Sequence, residues 1–271
     1  MPSGCLFHHR THGVDMPANG LFAGECALVT GSASNIGRAI AEGLAREGAR
    51  VLLADVDAAR NALVEKAITE AGGSAEAFTT DLSGRDGWKG LVARLEGRAI
   101  DMLVHAAAPA RREIDDAANV TEDVFDGMVN VNVRSGFFLA RSVAEGMKAR
   151  GAKGRLLFVT SLHAHTPRNL PHYSASKAAQ TMLVKELARA YGPAGVRVNA
   201  IAPGAIPGGG FSAGAYDFNG KIPLGRLGNA EDLAGPALAL LSDRFSRYVT
   251  GTTLAVDGGL DLYNWISPPS A

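Results

Sequence analysis

Two rhythms of apolar and polar positions alternate along the chain: short unbroken apolar runs, and segments whose apolar residues recur three or four apart. CALVT, residues 26–30, is a short apolar run bounded by turn residues and reads as a buried strand. The segment 37–48, GRAIAEGLAREG, has helical spacing and a stop at Gly48. RVLLAD is a second strand ending at Asp55, followed by a helix over 58–71. AEAFTTD reads as a third strand ending at Asp81, 84–96 as a helix, and IDMLVHAAA as a fourth strand. A long helical region from about 121 to 150 leads to a fifth strand, GRLLFVTS. A helix carrying Tyr173 comes next, then the strand VRVNAIAP, a glycine-rich loop, a helix near 230–241 and a last strand, TTLAVD.

Strands alternating with helices across short connections must run parallel, joined by right-handed crossovers with helices on both faces. The pattern therefore predicts an α/β chain with a doubly wound parallel sheet, a Rossmann fold of about seven strands. Residues 23–271 read as one such domain, with a substrate loop near 205–222. Residues 1–22 show neither periodicity and read as a disordered tail, or as an over-long start with Met16 as the first residue. Their His8, His9 and His12 are not taken as a metal site, and no metal is expected.

Composition narrows the function classes. Twenty-seven basic and twenty-seven acidic side chains balance, so neither nucleic acid nor an anionic membrane is an expected partner. No apolar run approaches the roughly 18 residues that span a bilayer. The two cysteines, Cys5 and Cys26, are too few for a disulfide framework, which suits a cytoplasmic protein.

Two constellations carry chemistry. The turn between the first strand and helix, TGSASNIG, brings backbone N–H groups and a positive helix end to one point, where a pyrophosphate can sit. Gly31 permits the turn and Gly37 a close approach of helix to sheet. Asp55, eighteen positions beyond Gly37, is placed to accept bonds from adenosine ribose hydroxyls and to repel a 2′-phosphate, favouring NAD over NADP. The second constellation is Tyr173 and Lys177 in HYSASKAAQ, one helical turn apart. An ammonium beside a phenol favours the phenolate, and about 4 kcal/mol of differential stabilisation would bring a tyrosine near neutrality. Such a group is poised for general acid–base work.

With these motifs in this order, the chain resembles the short-chain dehydrogenase/reductase family in its single-domain branch, from about Gly24 to Leu260. TGSASNIG looks like the family's TGxxxGIG, and Tyr173 and Lys177 occupy its YxxxK positions. The resemblance implies that Tyr173 exchanges a proton with the substrate oxygen and that Lys177 lowers its pKa and binds the nicotinamide ribose. It further implies that Ser161 bonds the carbonyl or alcohol and that Asn132 holds a water in a proton relay. Gly31, Ser34, Asn35, Ile36 and Gly37 would line the cofactor phosphates, Asp55 the ribose, and Asp81 and Leu82 the adenine. Ala106, Pro203 and Ile206 would stand near the nicotinamide. The implied activity is NAD(H)-dependent interconversion of a secondary alcohol (polyol, sugar, hydroxy acid or cyclic alcohol) and a ketone, in a homo-oligomer, a tetramer or dimer. A 3-oxoacyl-thioester reductase is the alternative within the class; a non-catalytic NAD-binding scaffold or redox sensor is the alternative outside it.

Several positions depart from the family pattern. Asn35 replaces the middle glycine of the turn, and HAAA, residues 105–108, replaces NNAG. Gly208 stands near the place of a threonine that often reaches the nicotinamide amide. Thr160 rivals Ser161, and His163, His165 and His172 read as polar loop residues at the pocket mouth. Phe211, Tyr216 and Phe218 belong to a glycine-rich, mobile or reduced lid. Arg111 and Arg112 with Asp115 and Asp116 read as a solvated stretch, and Tyr263 and Trp265 as a subunit contact.

Overall fold

Side chains of successive strand residues point to opposite faces, and here both faces are apolar. In β1 (Cys26–Thr30), Leu28 enters one buried cluster while Ala27 and Val29 enter another. β2 (Arg50–Asp55) and β5 (Arg155–Val159) divide their residues the same way. A computed structural model describes residues 20–112, 114–211, 218 and 220–262. Its sheet has seven parallel strands in the order β3-β2-β1-β4-β5-β6-β7, with β3 at Ser74–Thr79, β4 at Met102–His105, β6 at Arg197–Pro203 and β7 at Thr253–Val256.

On one face lie α1 (Asn35–Arg46), α2 (Ala58–Glu70) and α7 (Ala230–Leu241), burying Ile40, Leu44, Val64, Ile68 and Leu233. On the other lie α3 (Gly87–Arg94), α5 (Gly136–Ala149) and α6 (Pro171–Tyr191), burying Leu91, Leu139, Met147, Val184 and Leu187. The long helical region is a joined run: α4 (Glu122–Val129), a π-helical stretch over Asn130–Ser135, then α5. A short α8 (Asp243–Ser246) follows α7.

Two strands end earlier than their apolar runs. The last residue of β2, Asp55, pairs with Thr79, so β3 has no partner further on and Asp81 lies in the following loop. Thr30 pairs with His105, after which β1 and β4 diverge and Ala106–Ala108 have no strand to join. That divergence is the switch point of the sheet, where crevices form in doubly wound folds. The tail boundary also moves. Phe22 is fully buried in the core and its N–H donates to Glu47 O, so packed chain begins by Gly20. Residues 1–19, with the three histidines and Met16, lie outside the described residues, as do Tyr216, Tyr263 and Trp265. No described helix is long and apolar enough to cross a membrane.

Candidate active site

A cavity of about 1000 Å³ opens along the C-terminal ends of the strands. At one end it is floored by the turn after β1. Gly31 has φ of 71°, and a Cβ there would stand 2.7 Å from the backbone of Ala107. A Cβ on Gly37 would strike the carbonyl oxygen of Gly31, so α1 packs directly on its own entry turn. Ser32 anchors the turn from below, its hydroxyl donating to Asn61 Oδ1 at 2.8 Å. Ser34 is the N-cap of α1 but makes no capping bond, which leaves its hydroxyl and the first-turn N–H groups for the cavity it lines. Asn35 adopts φ of 49°, left-handed as its type tolerates, and its amide donates to Pro207 O at 3.1 Å.

Asp55 is oriented before any ligand arrives: its carboxylate accepts from Ala33 N at 3.0 Å and Asp57 N at 2.9 Å. Asp81 accepts from Ser83 N at 2.8 Å, which holds its carboxyl below the usual carboxylate range. Asp55, Asp81, Leu82, Ala106, Pro203 and Ile206 all line the cavity, together with Gly31, Ser34, Asn35, Ile36 and Gly37.

At the other end stand Ser161, Tyr173 and Lys177. Pro171 occupies the first turn of α6, where its missing N–H costs nothing, so Tyr173 sits at the start of the helix and Lys177 one turn in. The Lys177 ammonium, 5.8 Å from the Tyr173 ring centroid, donates to Val159 O at 2.8 Å and to Gln180 Oε1 at 3.0 Å. Burial, and then the charge of Arg111, push its pKa down to about 7. Ser161 accepts from His163 N at 3.1 Å, which leaves its proton free to donate. Thr160 is excluded as its rival, because its hydroxyl is spent on Ile201 O.

Asn132 does not join them. It is fully buried and absent from the cavity wall. Its side-chain amide donates to Ser176 Oγ at 2.8 Å and Met128 Sδ at 3.1 Å, while its main-chain oxygen accepts from Gln180 Nε2 at 2.9 Å. Gln180 bridges from that oxygen to the Lys177 ammonium. The π-helical stretch explains the geometry: a widened turn presents a carbonyl that a side chain can take.

The histidine that replaces the first asparagine of NNAG is also accounted for. Val131 O can only accept, so His105 Nε2 carries the proton and donates to it at 3.1 Å; Nδ1 then accepts from Thr30 Oγ at 2.9 Å. Burial, reinforced by Lys177, pushes the ring's pKa down to about 4, so it is neutral at ordinary pH. His105 thus ties β1 to the π-helical stretch.

A family model described as Enoyl-(Acyl carrier protein) reductase matches residues 31–261. The chain belongs to the short-chain dehydrogenase/reductase family. It is 37% identical over 246 residues to a 2-dehydro-3-deoxy-D-gluconate 5-dehydrogenase of Pseudoalteromonas atlantica, covering 87% of this chain and 95% of that one. It is 34% identical over 263 residues to an L-rhamnose 1-dehydrogenase (NAD(P)(+)) of Azotobacter vinelandii, covering 89% and 98%. The structure of a gluconate 5-dehydrogenase from Burkholderia cenocepacia, in complex with NADP and tartrate, superposes with a TM-score of 0.81 at 30% identity, covering 89% of this chain and 97% of that one. The family assignment makes the protein an NAD(P)-linked oxidoreductase acting on CH–OH groups.

Within this short-chain dehydrogenase the sequence reading missed Arg111. Nor is the stretch simply solvated: exposed Arg112 pairs with a buried Asp115, and Arg111 lines the cavity with its guanidinium 5.0 Å over the Tyr173 ring. The glycine-rich segment holds it there. Arg111 N donates to Gly209 O at 3.2 Å, and a Cβ on Gly210 would strike Arg111 O. So the described part of the expected lid is fastened at Pro207 and Gly209; residues 212–217 lie outside the described residues. Phe211 and Phe218 line the cavity and meet edge to face, their centroids 5.8 Å apart. His163 lines it as well, whereas His172 is fully buried and does not. Among the described residues no cluster of three His, Cys, Asp or Glu could hold a metal.

Proposed function

We propose that the chain is an NAD-dependent dehydrogenase of a small hydroxy acid of the sugar-acid kind, oxidising a secondary hydroxyl or reducing the matching ketone. The observation that carries this reading is Arg111, which lines the cavity with its guanidinium 5.0 Å over the ring of Tyr173. A planar fork of donors at that point suits a carboxylate. Arg168 and Lys221 also line the cavity and add positive charge to it. The deoxygluconate and gluconate dehydrogenases among the relatives support an acid over a neutral substrate.

The residues present fit a nicotinamide dinucleotide. Gly31 and Gly37, lacking Cβ atoms, let the turn close against Ala107 and α1, and Ser34, Asn35 and Ile36 open α1 with first-turn N–H groups for the phosphates. The fixed carboxylate of Asp55 suits ribose hydroxyls and opposes a 2′-phosphate. Asp81 and Leu82 border the adenine end; Ala106, Pro203 and Ile206 border the nicotinamide end. When bound, the nicotinamide exchanges hydride with the substrate carbon.

The chain's own groups handle the proton and the charge. Tyr173 takes the proton of the substrate hydroxyl in oxidation and returns it in reduction. Ser161 donates to the same oxygen. Lys177 and Arg111 bring positive charge to the Tyr173 ring and stabilise negative charge developing at that oxygen. Arg111 also fixes the acid end of the substrate, which sets which hydroxyl meets Tyr173.

A panel of hydroxy acids and matched neutral polyols, assayed with NAD by the absorbance of the reduced nicotinamide, tests this. Hydroxy acids should be preferred, and Arg111→Leu should raise their KM by roughly 10- to 100-fold, the worth of a charged hydrogen bond, while leaving the KM of polyols unchanged. Turnover of 3-oxoacyl thioesters with silence on the acids would overturn it.

A further inference from the structure

Gln180 has a role the rest of the site does not explain. It is fully buried on α6, three residues beyond Lys177 and on the same helix face. Its amide is used at both ends: Oε1 accepts from Lys177 Nζ at 3.0 Å, and Nε2 donates to Asn132 O at 2.9 Å. The Asn132 carbonyl is presented by the π-helical stretch, so the glutamine links a fixed backbone point to the ammonium. A second fixed point, Val159 O at the end of β5, holds the ammonium from the sheet side. The charged and titratable groups around Lys177 are His105 from β4, Arg111 from the loop after it, and Tyr173 on its own helix.

A primary amide can orient an ammonium but does not readily take up or release a proton, whereas a carboxylate at the same place would add charge. We propose that Gln180 is a positioning residue: it clamps Lys177 toward Tyr173 and sets its protonation. The functional consequence rests on Tyr173 and Lys177 being the acid–base centre; the clamp itself does not.

Two full-length variants separate the possibilities. Gln180→Glu places a carboxylate against the ammonium and should raise the midpoint of Lys177 ionisation by about one unit or more. Gln180→Met fills similar volume but removes the acceptor, and should lower that midpoint. The direct readout is the pH titration of the 13Cε signal of Lys177, assigned by its loss in Lys177→Arg; the second readout is the pH profile of kcat. The expected result is a shift of opposite sign in the two variants, seen in both readouts. Lys177 shifts without any change in the kcat profile would uphold the clamp and refute the assignment of Lys177 to the catalytic centre. Unchanged Lys177 titration in either folded variant would overturn the proposal, leaving Gln180 a packing residue.

Discussion

The side-chain amide of Asn35 fills the space that a Cβ at Gly208 would need. Both are departures from the family pattern, an asparagine where a glycine is usual and a glycine where a threonine is frequent, and the structure makes them one feature. Asn35 reaches across from the phosphate turn to Pro207 O, and Gly208 with φ of 125° lets the loop pass close beside it. Gly208→Ala should therefore loosen the loop and weaken dinucleotide binding by about 1–2 kcal/mol, as overpacking does. Asn35→Gly in the same chain should recover part of that loss. NAD titration of the two single variants and the double gives the coupling; additivity within about 0.3–0.5 kcal/mol would mean that the two positions are independent.

His105 gives the protein an acid sensitivity that an asparagine would not. The unfolded chain takes a proton on this imidazole near 6.5, while the native ring resists protonation until about 4. Between those values the unfolded state binds more protons, so native stability falls as pH falls, by up to about 3 kcal/mol once both states are protonated. Above pH 6.5 the ring costs nothing. His105→Asn should flatten the difference in denaturation midpoint between pH 7.5 and pH 5 relative to the parent chain. An identical pH dependence in the two proteins would show that the ring is protonated in the native state, with its bond to Val131 O or Thr30 rearranged.

What could be read from the sequence was tied to periodic elements. Tyr173 and Lys177 share a helix face, Asp55 ends a strand, and Gly31 and Gly37 bracket a strand-to-helix turn, and the family resemblance joined the two groups that now line one cavity. Gln180 had the same signal, three positions beyond Lys177 on that face, and was legible in principle. Arg111 was not. It lies after the apolar run of β4, where no period applies, and a loop conformation set by Gly209 and Gly210 carries its guanidinium onto Tyr173. Asn132 illustrates the converse: it was singled out by the family resemblance, but the π-helical stretch that turns its side chain to Ser176 and hands its carbonyl to Gln180 leaves no periodic trace.

Asp55 should decide the cofactor. Two backbone N–H groups hold its carboxylate at the end of β2, where a ribose 2′-phosphate would meet a fixed negative charge. The Burkholderia cenocepacia relative was solved with NADP, and the Azotobacter vinelandii relative is named for NAD(P)(+). Titration should give tighter binding of NAD than of NADP, and Asp55→Ser should narrow or invert the ratio by roughly tenfold or more, the worth of about 1.4 kcal/mol. Equal affinities in the parent chain would remove the carboxylate argument.

Tyr173→Phe is the sharpest separation of chemistry from architecture. The ring is buried between Lys177, Arg111 and the edge of His163, contacts that phenylalanine can keep. The hydroxyl is the part that faces the substrate oxygen in the proposed reaction, and a positioned proton-transfer group contributes about 10²- to 10⁴-fold. The variant should lose at least about 100-fold in kcat, bind NAD within about twofold of the parent, and unfold at nearly the same denaturant concentration. Loss of NAD binding or of stability in step with activity would assign the hydroxyl a structural role. Retained turnover would move the proton transfer to another group, and Ser161, with its free proton, would be the first to replace.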